Sequence, residues 1–194
     1  FVKFNKKTPE KDFRNIGTKI GFESLKKYKP YTRHAEHPFV EAIIDGTRVN
    51  VVPCYDVNKG EWQSATDRSV YHTKFMLQNL SSSMKGDVRI LKKFLLHIEV
   101  YGAEIAKEGL SGYVAEVLIF YFGSFEKVIK KISGWKKGQV IGKSTKKIGW
   151  PVVIIDPIDS NRNLGTAISV DSLGKFVLAC RLFLKKPSKR FFKK

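Results

Sequence analysis

The chain has 194 residues, 42% of them hydrophobic and 12% aromatic, a globular composition that excludes a disordered chain. Its 36 Lys+Arg against 18 Asp+Glu give a formal charge of +18, a field that suits a polyanionic partner. Nucleic acid fits that field better than a membrane surface, because the basic residues are scattered through well-patterned segments and not gathered on one face of a lone amphipathic helix.

The chain opens without Met, and Phe1 to Asn5 leads straight into charged residues, so no signal peptide is visible and an upstream segment is expected to be missing. Phe1-Val2-Lys3-Phe4 reads as a strand remnant, and Thr8-Pro9-Glu10-Lys11-Asp12 offers a helix start, with the helix running to about Lys27. The clearest local signal follows: Phe39 to Ile44, then Asp45-Gly46, then Thr47 to Val52. Asp-Gly is the preferred dipeptide of a two-residue type I′ turn, which sets Ile44 opposite Thr47 and Glu41 opposite Asn50. Alternation puts Glu41, Arg48 and Asn50 on one face and Val40, Ala42, Val49 and Val51 on the other.

From Ser64 to Ser133 the pattern turns helical. Asp67 is expected to cap a helix through about Leu80, and Asp87 another in which Val88, Leu91, Leu95 and Ile98 recur at helical spacing. Ser111 begins a third toward Ile132. It holds the longest apolar run, Val114 to Phe125, which Glu116 interrupts and which is too short to cross a bilayer, so no membrane partner is expected. Gly134 to Lys147 reads as a basic loop, Val152 to Ile155 as a short buried strand, and Asp156 to Thr166 as a polar loop. Asp171 is expected to cap a last helix with Leu173, Phe176, Val177, Cys180 and Leu184 on one stripe, stopped before Pro187. The fold class is therefore α+β. Cys54 and Cys180 each sit in an apolar stretch, make no disulfide framework and point to a reducing cytoplasm.

Several short motifs reduce to structural readings. In Gly142-Lys143-Ser144 the upstream glycine of a P-loop would fall at Lys137, so that motif fails. His34 and His37 would diverge beside a strand and have no further His or Cys at zinc spacing. Cys54 reads as a buried thiol. Lys189 to Lys194 interleaves basic and aromatic residues, as single-strand binders do, and a strand entering a further domain explains the same phenylalanines. Three groups rise above these. Asp67 to His72 places a hydroxyl and an imidazole at a helix start, where free N–H groups favour phosphate. Lys92 lies beside the stripe of the next helix, with Tyr101 in a turn beyond it. Asp156-Pro157-Ile158-Asp159-Ser160-Asn161-Arg162-Asn163 fills a loop with donors and acceptors after a buried strand. Together with the charge they suit a nucleoside triphosphate held beside an RNA end.

Eight ordered blocks then carry a family resemblance over nearly the whole chain. They are His34-Ala35-Glu36-His37-Pro38-Phe39, Val51-Val52-Pro53-Cys54-Tyr55, Asp67-Arg68-Ser69, Tyr101-Gly102-Ala103-Glu104, Gly109-Leu110-Ser111-Gly112-Tyr113, Phe122-Gly123-Ser124-Phe125, Asp156-Pro157-Ile158-Asp159, and Pro187-Ser188 with Phe191-Phe192. In order and spacing they resemble the archaeal class I CCA-adding enzymes, tRNA nucleotidyltransferases that add C, C and A to tRNA 3′ ends from CTP and ATP without a template. The resemblance implies the end of a nucleotidyltransferase palm at 1–60, a helical central domain at 61–135 and the start of a further α/β body at 136–194. It places the family's metal-binding acidic pair just before Phe1 and its third metal carboxylate at Asn50, which is not an acid. Mg2+ is the implied cofactor, with tRNA, CTP and ATP as partners, and a separate chain or segment is needed for the missing carboxylates. This chain alone is therefore expected to be inactive. Carried over by position, triphosphate and sugar contacts fall on Ser69, His72, Lys92 and Tyr101, and base reading on Arg162. Glu36, His37, Asp156 and Asn163 support the site. Leu164-Gly165-Thr166 departs from the family's usual Val-Ala-Ala. Two alternatives stay open: a non-catalytic RNA-binding or scaffold subunit, and a related poly(A) polymerase or oligoadenylate synthetase-like enzyme.

Overall fold

The computed structural model describes residues 1–33, 38–143 and 149–193. The chain divides into two compact units, Phe1–Lys74 and Phe75–Lys194. In the first, β1 (Val2–Asn5) is followed by α1 (Glu10–Leu25), and then by β2 (Tyr31–Arg33), β3 (Phe39–Ile44), β4 (Thr47–Val51) and β5 (Pro53–Asp56). β1 pairs parallel with β5, and β2, β3 and β4 form an antiparallel sheet in that order. Asp45 and Gly46 have φ of 48° and 73°, the left-handed pair that a type I′ turn requires. The expected register follows, with Ile44 opposite Thr47 and Glu41 opposite Asn50.

α1 is barely hydrophobic overall, yet one stripe of it, Phe13, Gly17, Gly21 and Leu25, is buried. The four recur every fourth residue, so they lie on one face. The two glycines let the helix backbone approach the strands: a Cβ on Gly17 would stand 2.8 Å from Pro53 Cβ, and one on Gly21 2.6 Å from Val40 Cβ. Phe13 stacks on Tyr55 with centroids 4.2 Å apart, and Leu25 packs with Val40 and Ala42.

α2 (Asp67–Asn79) begins in the first unit and ends in the second. The second unit continues with α3 (Ser82–His97), α4 (Gly112–Phe122), α5 (Phe125–Ile132), β6 (Gln139–Ile141), β7 (Val152–Asp156), β8 (Asp159–Asn163) and α6 (Val170–Lys185). α4 is apolar around most of its circumference and buries Val114, Ala115, Val117, Leu118 and Ile119, the pattern of a central helix. All five residues of β7 are buried between parallel β6 and antiparallel β8. Ile141, Val152, Ile154, Leu173 and Phe176 join one core with the buried residues of α3, α4 and α5.

The structure corrects several sequence expectations. Asp67 opens α2, but its carboxylate turns back to accept from the backbone N–H groups of Tyr55, Gln63 and Ser64 at 2.7 to 2.8 Å. Asp87 and Asp171 are not caps. Ser81 Oγ accepts from the Met84 N–H, and Ser169 Oγ from that of Ser172, so both helices start earlier. The helix from Ser111 does not run on to Ile132: Gly123, at φ 90°, ends α4, and Ser124 caps α5. Part of the basic loop is the strand β6, and part of the polar loop is β8. Lys189–Phe192 is a short 3-10 turn, not a strand, and Phe191 stacks on Phe94 at 5.7 Å in a cluster with Phe125, Phe183 and Phe192.

Helical glycines supply a paired test. Gly21→Ala should lower stability in urea unfolding by on the order of 1 kcal/mol, because an overpacking cost of about 1–3 kcal/mol exceeds a helix-propensity gain of about 0.8–1.0 kcal/mol. Gly174→Ala, in α6 with open space around its Cα, should instead stabilise by roughly 0.8–1.0 kcal/mol. A stabilised Gly21→Ala protein would contradict the packing of α1.

Candidate nucleotide-binding site

Asn50, Ser69 and His72 belong to the first unit; Lys92, Tyr101, Asp156, Arg162 and Asn163 belong to the second. Glu36 and His37 lie outside the described residues.

In the first unit, Asn50 is exposed on β4. Its cross-strand partner Glu41 is only 3% exposed. The Glu41 carboxylate accepts the Tyr31 hydroxyl and lies 3.9 Å from Arg33 Nε and 3.7 Å from Arg48 Nε. Glu41 is therefore charge-compensated inside its own sheet. Ser69 and His72 sit half-buried in the opening turns of α2. Asp67 fastens that opening to β5, with Thr66 Oγ1 donating to the Pro53 carbonyl at 2.7 Å and Tyr71 donating to that of Val57 at 2.6 Å. A cleft of about 550 Å³ opens beside the ends of β1 and β5, walled by Lys3, Lys6, Lys7, Asp56 and Tyr71. Asn50, Ser69 and His72 are not among its walls.

Among the described residues no group of three or more His, Cys, Asp or Glu side chains could hold a metal ion. Asn50 offers a neutral oxygen that can still ligate a cation but brings none of the negative charge of a carboxylate. The residues described here thus do not by themselves fit a magnesium site.

The second unit brings its site residues together in two pairs. Lys92 Nζ, on α3, lies 2.7 Å from Glu116 Oε1, on α4, with both side chains 28% exposed. Tyr101 follows α3 and bridges to Leu110. Its hydroxyl would stand 2.8 Å from a Cβ on Gly112, and Lys92 Nζ 3.6 Å from the same point. An ammonium and a hydroxyl thus converge where α4 begins, at a backbone bare of side chain. That geometry suits an anion, since the helix start adds its own positive end.

The other pair stands at the end of β7. Asp156 is 1% exposed. Its Oδ1 accepts from the Tyr113 hydroxyl at 3.1 Å and the Ile158 N–H at 3.0 Å, and its Oδ2 from Arg162 Nη1 at 3.2 Å. Arg162, on β8, keeps 39% of its side chain exposed. The pair therefore orients the guanidinium without hiding it. Asn163 Oδ1 accepts from the Ile154 N–H at 2.9 Å and the Gly165 N–H at 2.8 Å, pinning the end of β8 to β7. Burial, then the charge of Asp156 and the hydrogen bond to it, hold the Tyr113 phenol far above its ordinary range, with Arg162 opposing.

Sequence reasoning did not name Tyr113 or Glu116 as site residues. Glu116 carried a signal, since a carboxylate inside an apolar run needs a partner. Tyr113 is told apart from the other aromatic residues only by the position of Asp156.

Comparison with known proteins defines the class first. A cytoplasmic RNA terminal U-transferase matches with a TM-score of 0.61 at 11% identity, over 89% of this chain and 75% of that one. A mutant Cid1 poly(U) polymerase bound to MgATP matches with a TM-score of 0.66 at 10% identity, over 99% and 80%. The fold is a nucleotidyltransferase fold. Residues 86–193 match the family model described as tRNA nucleotidyltransferase, second domain, and the chain belongs to that family. Among curated relatives, the CCA-adding enzyme of Pyrobaculum neutrophilum is 47% identical over 164 residues, covering 82% of this chain and 40% of that protein. Those of Picrophilus torridus and Methanocaldococcus jannaschii are each 37% identical, over 99% and 100% of this chain and 45% and 46% of theirs. The chain thus spans less than half the length of these relatives. Their shared name does not favour the scaffold or poly(A) polymerase-like alternatives. Among the described residues, no helix is long and apolar enough to cross a membrane.

The Tyr113 environment makes a pH prediction. Folding raises this pKa above the unfolded value near 10.0, so its contribution to stability is complete below that pH and is lost progressively above it, as pH rises toward and through the higher folded value. Tyr113→Phe should therefore unfold with a shallower loss of stability above pH 10, read by urea titration. It should also leave unchanged the tyrosinate absorbance gained just past pH 10. A drop in that absorbance would mean that Tyr113 titrates normally.

Proposed function

We propose that this chain is part of a CCA-adding tRNA nucleotidyltransferase that extends tRNA 3′ ends with C, C and A from CTP and ATP. The observation that carries the reading is the pairing in the second unit of a cation and hydroxyl at a helix start with a carboxylate-oriented arginine. In this reading Lys92 and Tyr101 serve the triphosphate and ribose as donors, and Ser69 and His72 are, separately, phosphate donors at the helix start of the first unit. Arg162 presents its guanidinium to the Watson–Crick edge of the incoming base, oriented by Asp156. Asn163 supports the second-unit site, and Glu36 and His37 are, by the same resemblance, supporting residues of the first unit. The relatives' names and the family match support the reaction class. The charge of +18 supports tRNA as the polyanion, held in a cytoplasmic setting.

Asn50 occupies the position of a metal carboxylate without being one. Mg2+ enters this reading only with acidic residues supplied by a further segment or chain, and the chain alone is inactive.

Three measurements test the proposal. Incubated with tRNA lacking its CCA end, Mg2+ and labelled CTP, the chain alone should incorporate no label, and adding an N-terminal segment bearing the acidic pair should restore incorporation. Label incorporated by the chain alone would overturn its inactivity; none after mixing would overturn the split-enzyme reading. Arg162→Ala should reduce preference for C and A over U and G, and unchanged preference would remove the base-reading role. Affinity for tRNA should fall by roughly tenfold or more for each few-fold rise in salt if several phosphates are neutralised, and a flat salt response would remove the backbone-contact reading.

A further inference from the structure

Two residues of α4 stand between the pairs just described. Glu116 holds Lys92, while Tyr113, three residues earlier on the same helix, holds Asp156 and through it Arg162. Residues three apart on a helix share a face, and no flexible loop intervenes between them. The Glu116 charge is also felt at the Tyr113 phenol. One turn of helix therefore ties the cation that suits phosphate to the cation that suits a base. α4 is buried through Val114, Ala115, Val117, Leu118 and Ile119, so this turn cannot shift without moving the core.

The geometry points to Tyr113 and Glu116 as positioning residues that set Lys92 and Arg162 at a fixed separation, so that phosphate and base of one nucleotide are recognised together. This rests on the proposed nucleotide site. Neither residue needs to touch substrate. Glu116 keeps the long Lys92 side chain over the bare backbone of Gly112, cutting the rotamer freedom that binding would otherwise have to remove. The Tyr113 hydroxyl occupies one lobe of the Asp156 carboxylate, which leaves Oδ2 facing the guanidinium.

The test measures binding of CTP, UTP and cytidine to the full chain, with tRNA lacking its CCA end present. Glu116→Ala should lower the preference for CTP over cytidine by about tenfold, the scale of a hydrogen bond to a charged group, and leave the preference for CTP over UTP intact. Glu116→Gln should restore most of the loss, because an amide oxygen still accepts from Lys92. Tyr113→Phe should do the reverse, lowering CTP over UTP by about tenfold and sparing CTP over cytidine. Both preferences falling together in either variant would mean a merely structural role and would overturn the inference. Lys92→Ala and Arg162→Ala are the controls. If they lose the phosphate and base preferences respectively while the α4 variants lose neither, only the inference fails. If the controls change nothing, or the unaltered chain does not distinguish CTP from cytidine, the nucleotide-site reading fails with it.

Discussion

The arrangement of polar side chains in the second unit depends on burying one carboxylate, that of Asp156. It ends a strand whose other four residues are apolar and buried, and it is itself 1% exposed. An isolated carboxylate in such a place would be strongly disfavoured, so the fold must bring donors to it. Three arrive from three places: the Tyr113 hydroxyl from α4, the Ile158 N–H from the tight connection after β7, and the Arg162 guanidinium from β8. The pairing of β7 with β8 shifts register between Ile155 and Asp156, and Asn163 re-anchors the far end through Ile154 and Gly165. The orientation of Arg162 thus follows from satisfying Asp156. A substitution that silenced the carboxylate would free the arginine without touching it.

Legibility of the fold in the sequence followed how local each signal was. The hairpin register came from two turn residues whose left-handed backbone is almost their only purpose, and it matches the structure residue for residue. Helix starts were less readable, because Ser and Asp are equally good caps and both occur near each start. The structure uses Ser81 and Ser169 and leaves Asp171 in the first turn of α6, where the helix dipole favours it without capping. The break at Gly123 hid inside a continuous apolar run. β8, reading Asp-Ser-Asn-Arg-Asn, has no apolar face and is a strand only because β7 lies beside it. The closing phenylalanines looked like a strand or a stacking surface and instead pack, half-buried, against the core, a fact that depends on Phe94, far away in sequence.

The candidate site residues stood out as single polar positions but not as partners. Lys92, Tyr101, Asp156 and Arg162 each stood out, and the structure shows why two of them needed company. Glu41 shows the opposite case. Its place opposite Asn50 followed from the turn, but its burial against Tyr31 and Arg33 did not, because β2 has only three residues and no pattern to announce it. A carboxylate that close to Asn50 invites a metal-binding interpretation until its arginine partners are seen.

The positive excess is a matter of number, 36 Lys+Arg against 18 Asp+Glu, and the structure shows how the buried acids are used. The buried acids among the described residues are Glu41, Asp67 and Asp156, and each is engaged internally, by two arginines and a tyrosine, by backbone N–H groups, and by Arg162 with Tyr113. Their interactions are short-ranged and shielded from salt. Exposed pairs such as Lys3 with Asp56, or Lys175 with Asp171, are worth little and are easily exchanged for another anion. The three buried acids are engaged inside the two units, where they fix geometry. Carboxylates thus position the few cations that need a direction, and the remaining excess of Lys and Arg makes up the positive field.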